Sequence, residues 1–228
     1  MGSPVPPRCG IAFTAQEGMV LAADPGQGAA IPRRLKDPPM PDPDPALYRA
    51  IAGLGAVDLA RRLIGARLVV RGVGGHIIET EAYLRDDPAS HSFRGPTPRN
   101  GAMFGPAGHA YVYRSYGIHL CLNVVARPGE AVLIRALDPT EGLDLMRARR
   151  GPGPLCAGPG RLSQALGLRP EDDGAPFDGQ DLLLALSPDQ PSLLEGPRIG
   201  ISRAQDLPWR FGLAGARGLS RPFPGQSG

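Results

Sequence analysis

An α+β fold built on an antiparallel sheet is what this 228-residue chain predicts, and three observations carry the prediction. Short apolar runs rich in Val, Ile and Leu are separated by turn signals of only a few residues. Helical periodicity is confined to a few segments at the sides of these runs and does not alternate with them. Strands joined by short turns pair antiparallel, whereas βαβ winding needs a long crossover between each pair.

Residues 1–45 are rich in Pro, Gly and Ala and end in Pro38-Pro39-Met40-Pro41-Asp42-Pro43-Asp44-Pro45. Such a composition cannot bury enough apolar surface to offset the entropy of ordering, so a disordered or loosely attached leader is expected. Phe13 and Met19-Val20-Leu21 are the one place in it where a short strand could dock. The folded domain is expected over residues 46–221, with 222–228 as a flexible tail.

Residues 46–64 carry Leu47, Ile51, Leu54, Val57, Ala60, Leu63 and Ile64 at helical spacing, interrupted by Gly53 and Gly55, which predicts two short helices. Residues 67–71, 72–75 and 76–82 read as strand, turn and strand. Residues 110–113, 120–125 and 131–137 supply three more strands. Helices are expected over 141–150 and 160–168, and late strands over 182–186 and 198–201. There is no internal repeat.

A formal charge of +3 and an isoelectric point near 9.0 permit a polyanionic partner without requiring one. Lys36 is the only lysine and every other basic side chain is arginine, a bias that codon usage in a GC-rich genome would also produce. Its chemical consequence holds either way: beyond Lys36 no side-chain amine can form a Schiff base, and a Walker-type phosphate loop is excluded. Cys9, Cys121 and Cys156 are widely separated, which argues against a disulfide framework or a zinc cluster. His76, His91, His109 and His119 fit no zinc protease or zinc deaminase spacing. With no signal peptide and no long apolar run, a cytoplasmic location is expected, away from membranes.

Function is concentrated between Glu79 and Asn123, where four of the five tyrosines (Tyr83, Tyr111, Tyr113, Tyr116) fall close to Glu79, Glu81, His91, Arg94 and Arg99. Aromatic faces stack on nucleobases, arginine binds phosphate, and a carboxylate activates water, so the group reads as a pocket for a flipped base, with another flat ring as the alternative. Each residue also has a plainer reading. An E-x-E in a strand puts Glu79 and Glu81 on one face, ordinarily the wet one. His91 lies in a loop-like segment, and Tyr111 with Tyr113 suits core packing. Tyr116 precedes Gly117 in a turn, where a large aromatic is harder to explain as core and suits a wedge between bases.

These residues form a pattern: Ile78-Glu-Thr-Glu-Ala-Tyr83, His91-Ser92, Thr97-Pro-Arg-Asn100, Met103-Phe104, Tyr111-Val-Tyr113, Tyr116-Gly117, Asn123, Leu133-Ile-Arg-Ala-Leu137, Leu155-Cys-Ala-Gly-Pro-Gly-Arg-Leu162 and Arg198-Ile-Gly-Ile201. In order and spacing over roughly Asp58 to Ser220 it resembles the alkyladenine (3-methyladenine) DNA glycosylases of vertebrates and many bacteria. The resemblance implies a single compact domain on a curved antiparallel sheet with surrounding helices, like the C-terminal domain of formyltransferases. It implies a monomer that flips a damaged purine out of double-stranded DNA and hydrolyses its N-glycosidic bond with no metal or other cofactor. Glu81 would activate the water, held also by Arg135 and the Ile199 carbonyl. Tyr83 and His91 would sandwich the base, Tyr113 would close the pocket edge, and Asn123 would oppose the 2-amino group of guanine. Tyr116 would fill the space vacated in the duplex, with Met103, Arg99, Arg161 and Arg94 at the DNA. The loop from Phe93 to Pro96 is one residue shorter than in vertebrate members, at the expected phosphate contact of Arg94. Without an available amine, such a glycosylase would release the base without cutting the strand. Two other classes stay open on the residues alone: a lesion sensor without catalysis, and a glycoside or nucleoside hydrolase using Glu79 and Glu81, about 6 to 7 Å apart along a strand, as a carboxylate pair.

Overall fold

A computed structural model describes residues 44–225. The expected leader and its Phe13 to Leu21 strand, together with the end of the tail, lie outside the described residues. Two short helices open the domain, α1 (Pro45–Ile51) and α2 (Ala56–Arg62), and the glycines at 53 and 55 separate them as expected. Asp44 caps α1 by accepting from the Ala46 amide at 2.7 Å.

Eight antiparallel strands follow: β1 (Arg67–Val70), β2 (Val73–Tyr83), β3 (Ala110–Ser115), β4 (His119–Arg127), β5 (Glu130–Glu141), β6 (Leu182–Ala185), β7 (Leu193–Gly196) and β8 (Arg210–Leu213). The sheet runs β3-β4-β5-β2-β1-β6, with β8 paired to both β2 and β7. Helices α3 (Leu143–Arg150) and α4 (Pro159–Leu166) complete an α+β arrangement. Leu59, Leu63, Leu122, Val124, Val132, Ile134, Leu162 and Leu166 belong to one buried core, in which α2 and α4 cover one face of the sheet.

The structure departs from expectation at four points. The turn placed at 72–75 is only Arg71-Gly72, both at positive φ, and Gly74 and Gly75 lie inside β2. A Cβ there would come within 2.1 Å of Leu68 O or Asp138 O, so the glycines serve close strand contact and not the turn. Residues 198–201 form no strand, because the Ile199 amide is spent on a side chain of the site described below. The late strands β7 and β8 were not anticipated, and β8 is the neighbour that closes over β2. Packing also continues past residue 221, where Phe223 is buried against Gly196 and Gly212.

Period-two alternation then sorts the sheet residues. Ala82, Val112, Leu122, Val124, Val132 and Ile134 enter the main core. Their odd-numbered neighbours Tyr83, Tyr111, Tyr113 and Ala131 gather in a second cluster around Met103. That second face carries the chemistry.

Candidate active site

The β2–β5 register breaks at the strand centre. Glu79 pairs with Ala136 and Thr80 with Ile134, so Arg135 is an extra residue on β5 with no partner opposite. A bulge of this kind re-aims its side chain. Here it aims the guanidinium between the two carboxylates of β2: Nε lies 3.2 Å from Glu79 Oε1 and Nη1 3.2 Å from Glu81 Oε1.

Glu81 is 0% exposed. One of its oxygens accepts from the Ile199 amide at 2.7 Å and the other from the Tyr83 hydroxyl at 2.8 Å. Burial pushes its pKa above the ordinary carboxylate range, against the opposing pull of Arg135 and of the Ile199 and Tyr83 donors. The reading of E-x-E as a solvent-facing pair is therefore overturned. β8 and the loop carrying Ile199 cover the face, and arginines compensate both charges.

Glu79, also 0% exposed, has its carboxylate spoken for. Oε1 receives Arg135, Arg210 Nη1 at 3.1 Å and the Ser220 hydroxyl at 2.8 Å, and Oε2 receives the Ser220 amide at 2.5 Å. Both oxygens of Glu79 are thus taken by Arg135, Arg210 and Ser220, and Glu79 does not line the cavity described next, which counts against the carboxylate-pair hydrolase.

In front of Glu81 opens a cavity of about 570 Å³ lined by, among others, Tyr83, His91, Tyr113, Asn123, Arg135 and Ile199. Glu81 itself is not in the wall; Tyr83, Arg135 and Ile199 stand between it and the open space. His91 meets Tyr113 edge to face with ring centres 4.5 Å apart, and its Nδ1 is 2.8 Å from the Tyr111 hydroxyl. Partial burial lowers the His91 pKa, so the imidazole is neutral near pH 7. Burial likewise keeps Tyr83, Tyr111 and Tyr113 protonated far above neutrality. Asn123 pairs with Tyr111 across β3 and β4 and donates from Nδ2 to its carbonyl at 2.9 Å.

The residues expected at DNA are not brought together equally. Tyr116 stands at the β3–β4 hairpin tip, 85% exposed and at φ 48°, a conformation a bulky residue adopts rarely. Arg94 and Arg99 line an adjoining groove of about 870 Å³, shared with Arg114 and Arg203. Arg161 sits apart from both cavities, exposed on α4, next to Gly160 and two residues from Pro159 in the cavity wall. Met103 is buried in the second cluster and reaches the cavity wall from inside, away from the surface where a DNA contact was expected.

Sequence reasoning missed Arg210, Ser220, Arg198 and Asp87, which hold the site together from behind. Arg198 and Asp87 form an ion pair with both side chains fully buried. Arg198 stood in the motif ending at Ile201 but was given no role, and Asp87, Arg210 and Ser220 are single polar residues with no motif or periodicity of their own to mark them.

A buried carboxylate–arginine pair behind an aromatic-walled cavity, opening onto an arginine-lined groove, has the parts expected of the DNA glycosylase class. Comparison with known proteins agrees: a model of the methylpurine-DNA glycosylase family matches residues 52–217. Curated relatives provisionally named 3-methyladenine DNA glycosylase include one from Nitrosospira multiformis, 60% identical over 74% of this chain and 90% of its own length. Others come from Agrobacterium fabrum, 57% identical over 74% of this chain and 89% of its own, and Rhodopseudomonas palustris strain CGA009, 52% identical over 85% and 97%. The chain belongs to the methylpurine-DNA glycosylase family.

Proposed function

We propose that this DNA glycosylase is monofunctional: it flips alkylated or deaminated purines of the 3-methyladenine, 7-methylguanine and hypoxanthine class out of duplex DNA and hydrolyses the N-glycosidic bond with a water activated by Glu81. The observation that carries this reading is the Glu81 carboxylate, held by Ile199, Tyr83 and Arg135 immediately behind the cavity. A water at the Arg135–Ile199 edge would give its proton to Glu81 while attacking the sugar carbon, and the purine would leave with the bonding electrons. General base catalysis of this kind is worth about 10²- to 10⁴-fold.

Selectivity has two sources. A purine alkylated at N3 or N7 is cationic and already a good leaving group, and Tyr and His faces attract it by about 0.5 to 2 kcal/mol. A damaged, poorly paired base also costs less to flip. For neutral hypoxanthine the leaving group must be protonated. The lowered pKa of His91 leaves little imidazolium to donate that proton and its Nδ1 is engaged by Tyr111, which favours His91 as a stacking partner opposite Tyr83. Arg94, Arg99, Arg114 and Arg203 offer phosphate contacts along the groove, and Tyr116 is placed to fill the gap left in the duplex.

The test is incubation with duplexes that each hold one defined lesion. Free base and an alkali-sensitive abasic site are expected, with no strand break before alkali, and Glu81→Gln should lose release while keeping lesion binding. Binding without release would make the protein a sensor. Release from free nucleosides without DNA would make it a nucleoside hydrolase.

A further inference from the structure

Glu79 does not line the site's cavity, yet it is the most heavily bonded carboxylate of the site, and its partners lead either to Arg135 or to the segment from Ser220 to Phe223. Ser220 donates twice to Glu79 and also accepts from Arg135 Nη2 at 3.2 Å. Arg210, from β8, donates to Glu79, to Arg221 O and to Pro222 O, and its guanidinium carbon lies 3.7 Å from the Phe223 ring centre. Arg135 is thus gripped through Nε and Nη2 from the Glu79 side, which leaves Nη1 for Glu81.

We propose that Glu79 is a positioning residue for hydrolysis: with Ser220 and Arg210 it locks the Arg135 guanidinium, and by sharing that single cation with Glu81 it keeps Glu81 basic enough to take a proton from water. The inference rests on Glu81 being the base. Four buried charges alternate along the chain Glu81, Arg135, Glu79, Arg210, so Arg135 is divided between two anions while Glu79 has a second cation of its own. An undivided guanidinium beside Glu81 would stabilise its ionised form further and weaken it as a base. The other groups facing Glu81 are Tyr83 on its own strand, the Ile199 amide, and Tyr113 and Cys121 from β3 and β4. None of these supplies a second full negative charge.

The experiment is the pH profile of single-turnover base release from one lesion duplex, measured for wild type and for Glu79→Gln, Glu79→Asp, Ser220→Ala and Glu81→Gln. Glu79→Gln removes the competing anion while keeping shape. Its rate should fall at least tenfold at neutral pH, with lesion Kd within threefold of wild type, and its acidic limb should move down by about one pH unit, as expected for a carboxylate that gains a neighbouring cation. Glu79→Asp keeps the charge, so it should restore the limb to the wild-type position. Ser220→Ala loosens the grip without changing charge, so it should lower the rate and leave the limb in place. A Glu79→Gln limb coincident with wild type would overturn the proposal. If Glu79→Gln does not fold, Ser220→Ala with an unchanged rate overturns it instead. Release by Glu81→Gln at the wild-type rate would sink the assignment of the base itself, a different failure from an unmoved Glu79→Gln limb in a protein that needs Glu81.

Discussion

The guanidinium of Arg198 lies 4.7 Å from the centre of the Tyr83 ring and is clasped at its other edge by the Asp87 carboxylate. Trp209 lies on it as well, 5.1 Å from ring centre to guanidinium carbon, and one Nη donates to the Ala82 carbonyl at 3.0 Å. The ring read as a platform for a flipped base is therefore fixed by a buried ion pair that does not itself line the cavity. Arg198 also precedes Ile199, so the same pair sets the amide that Glu81 accepts.

Asp87→Asn should accordingly lower both stability and lesion binding. Breaking a fully buried ion pair leaves one uncompensated charge inside, at a cost of roughly 3 to 5 kcal/mol. Urea unfolding of the mutant should show that loss at unchanged slope. A loss under about 1 kcal/mol would mean that Arg198 finds other partners and that Tyr83 is not held by Asp87.

Tyr83→Phe separates the two jobs of Tyr83. The ring stays available for stacking, while the hydroxyl bond that lowers the Glu81 pKa disappears. Glu81 then loses a stabiliser of its charged form, and its pKa, already raised by burial, rises further. Because Glu81, as the proposed base, acts only when ionised, activity should decline at a higher pH as the solution is acidified. The check is the acidic limb of the single-turnover profile, expected to shift upward with lesion affinity nearly unchanged. A downward shift would show that the hydroxyl does not bond Glu81 in the working enzyme.

Tyr116→Ser tests the wedge. An exposed aromatic held at positive φ on a hairpin tip contributes little to the fold, so stability should change by less than about 0.5 kcal/mol. Affinity for lesion duplex should drop by the equivalent of about 1 to 3 kcal/mol of lost stacking, and nonspecific affinity should drop less. Equal lesion binding by mutant and wild type would remove the assignment.

How far the sequence reached follows from which signals are local. Helix and strand positions from Pro45 to Arg150 were legible because period and turn chemistry are written in adjacent residues, as in the two helices split at Gly53 and Gly55. The cavity residues Tyr83, His91, Tyr113 and Asn123 were legible through their motif, and strand alternation puts Tyr83, Tyr113 and Asn123 in one wall. What could not be read was anything set by pairing across the chain. The bulge that aims Arg135 exists only in the β2–β5 register, and the burial of Glu79 and Glu81 depends on β8 and the residues around Ile199 and Ser220, more than a hundred positions away. An E-x-E alone carries no trace of those partners, so the exposed reading was the natural one and was wrong.

Asn123 is the residue expected to oppose the 2-amino group of guanine, and its geometry narrows how it would act. Nδ2 is tied to the Tyr111 carbonyl, so the plainer role of bonding nearby backbone is fulfilled while the residue still lines the cavity. That bond holds the amide in place and makes it a rigid obstacle. Guanine differs from hypoxanthine only by the exocyclic 2-amino group, and a fixed neighbour rejects that group by collision or by leaving its hydrogens unpaired, each a penalty of about 1 to 3 kcal/mol. Asn123→Ala and Asn123→Ser open the space and should raise release of guanine or 7-methylguanine relative to hypoxanthine by up to about a hundredfold, the equivalent of that penalty. Both also release the Tyr111 carbonyl, so some general loss of stability is expected. Comparing the ratio of release rates in the same duplex cancels that loss. A mutant that is folded and active on hypoxanthine, yet shows the wild-type ratio, would place guanine exclusion elsewhere in the cavity wall.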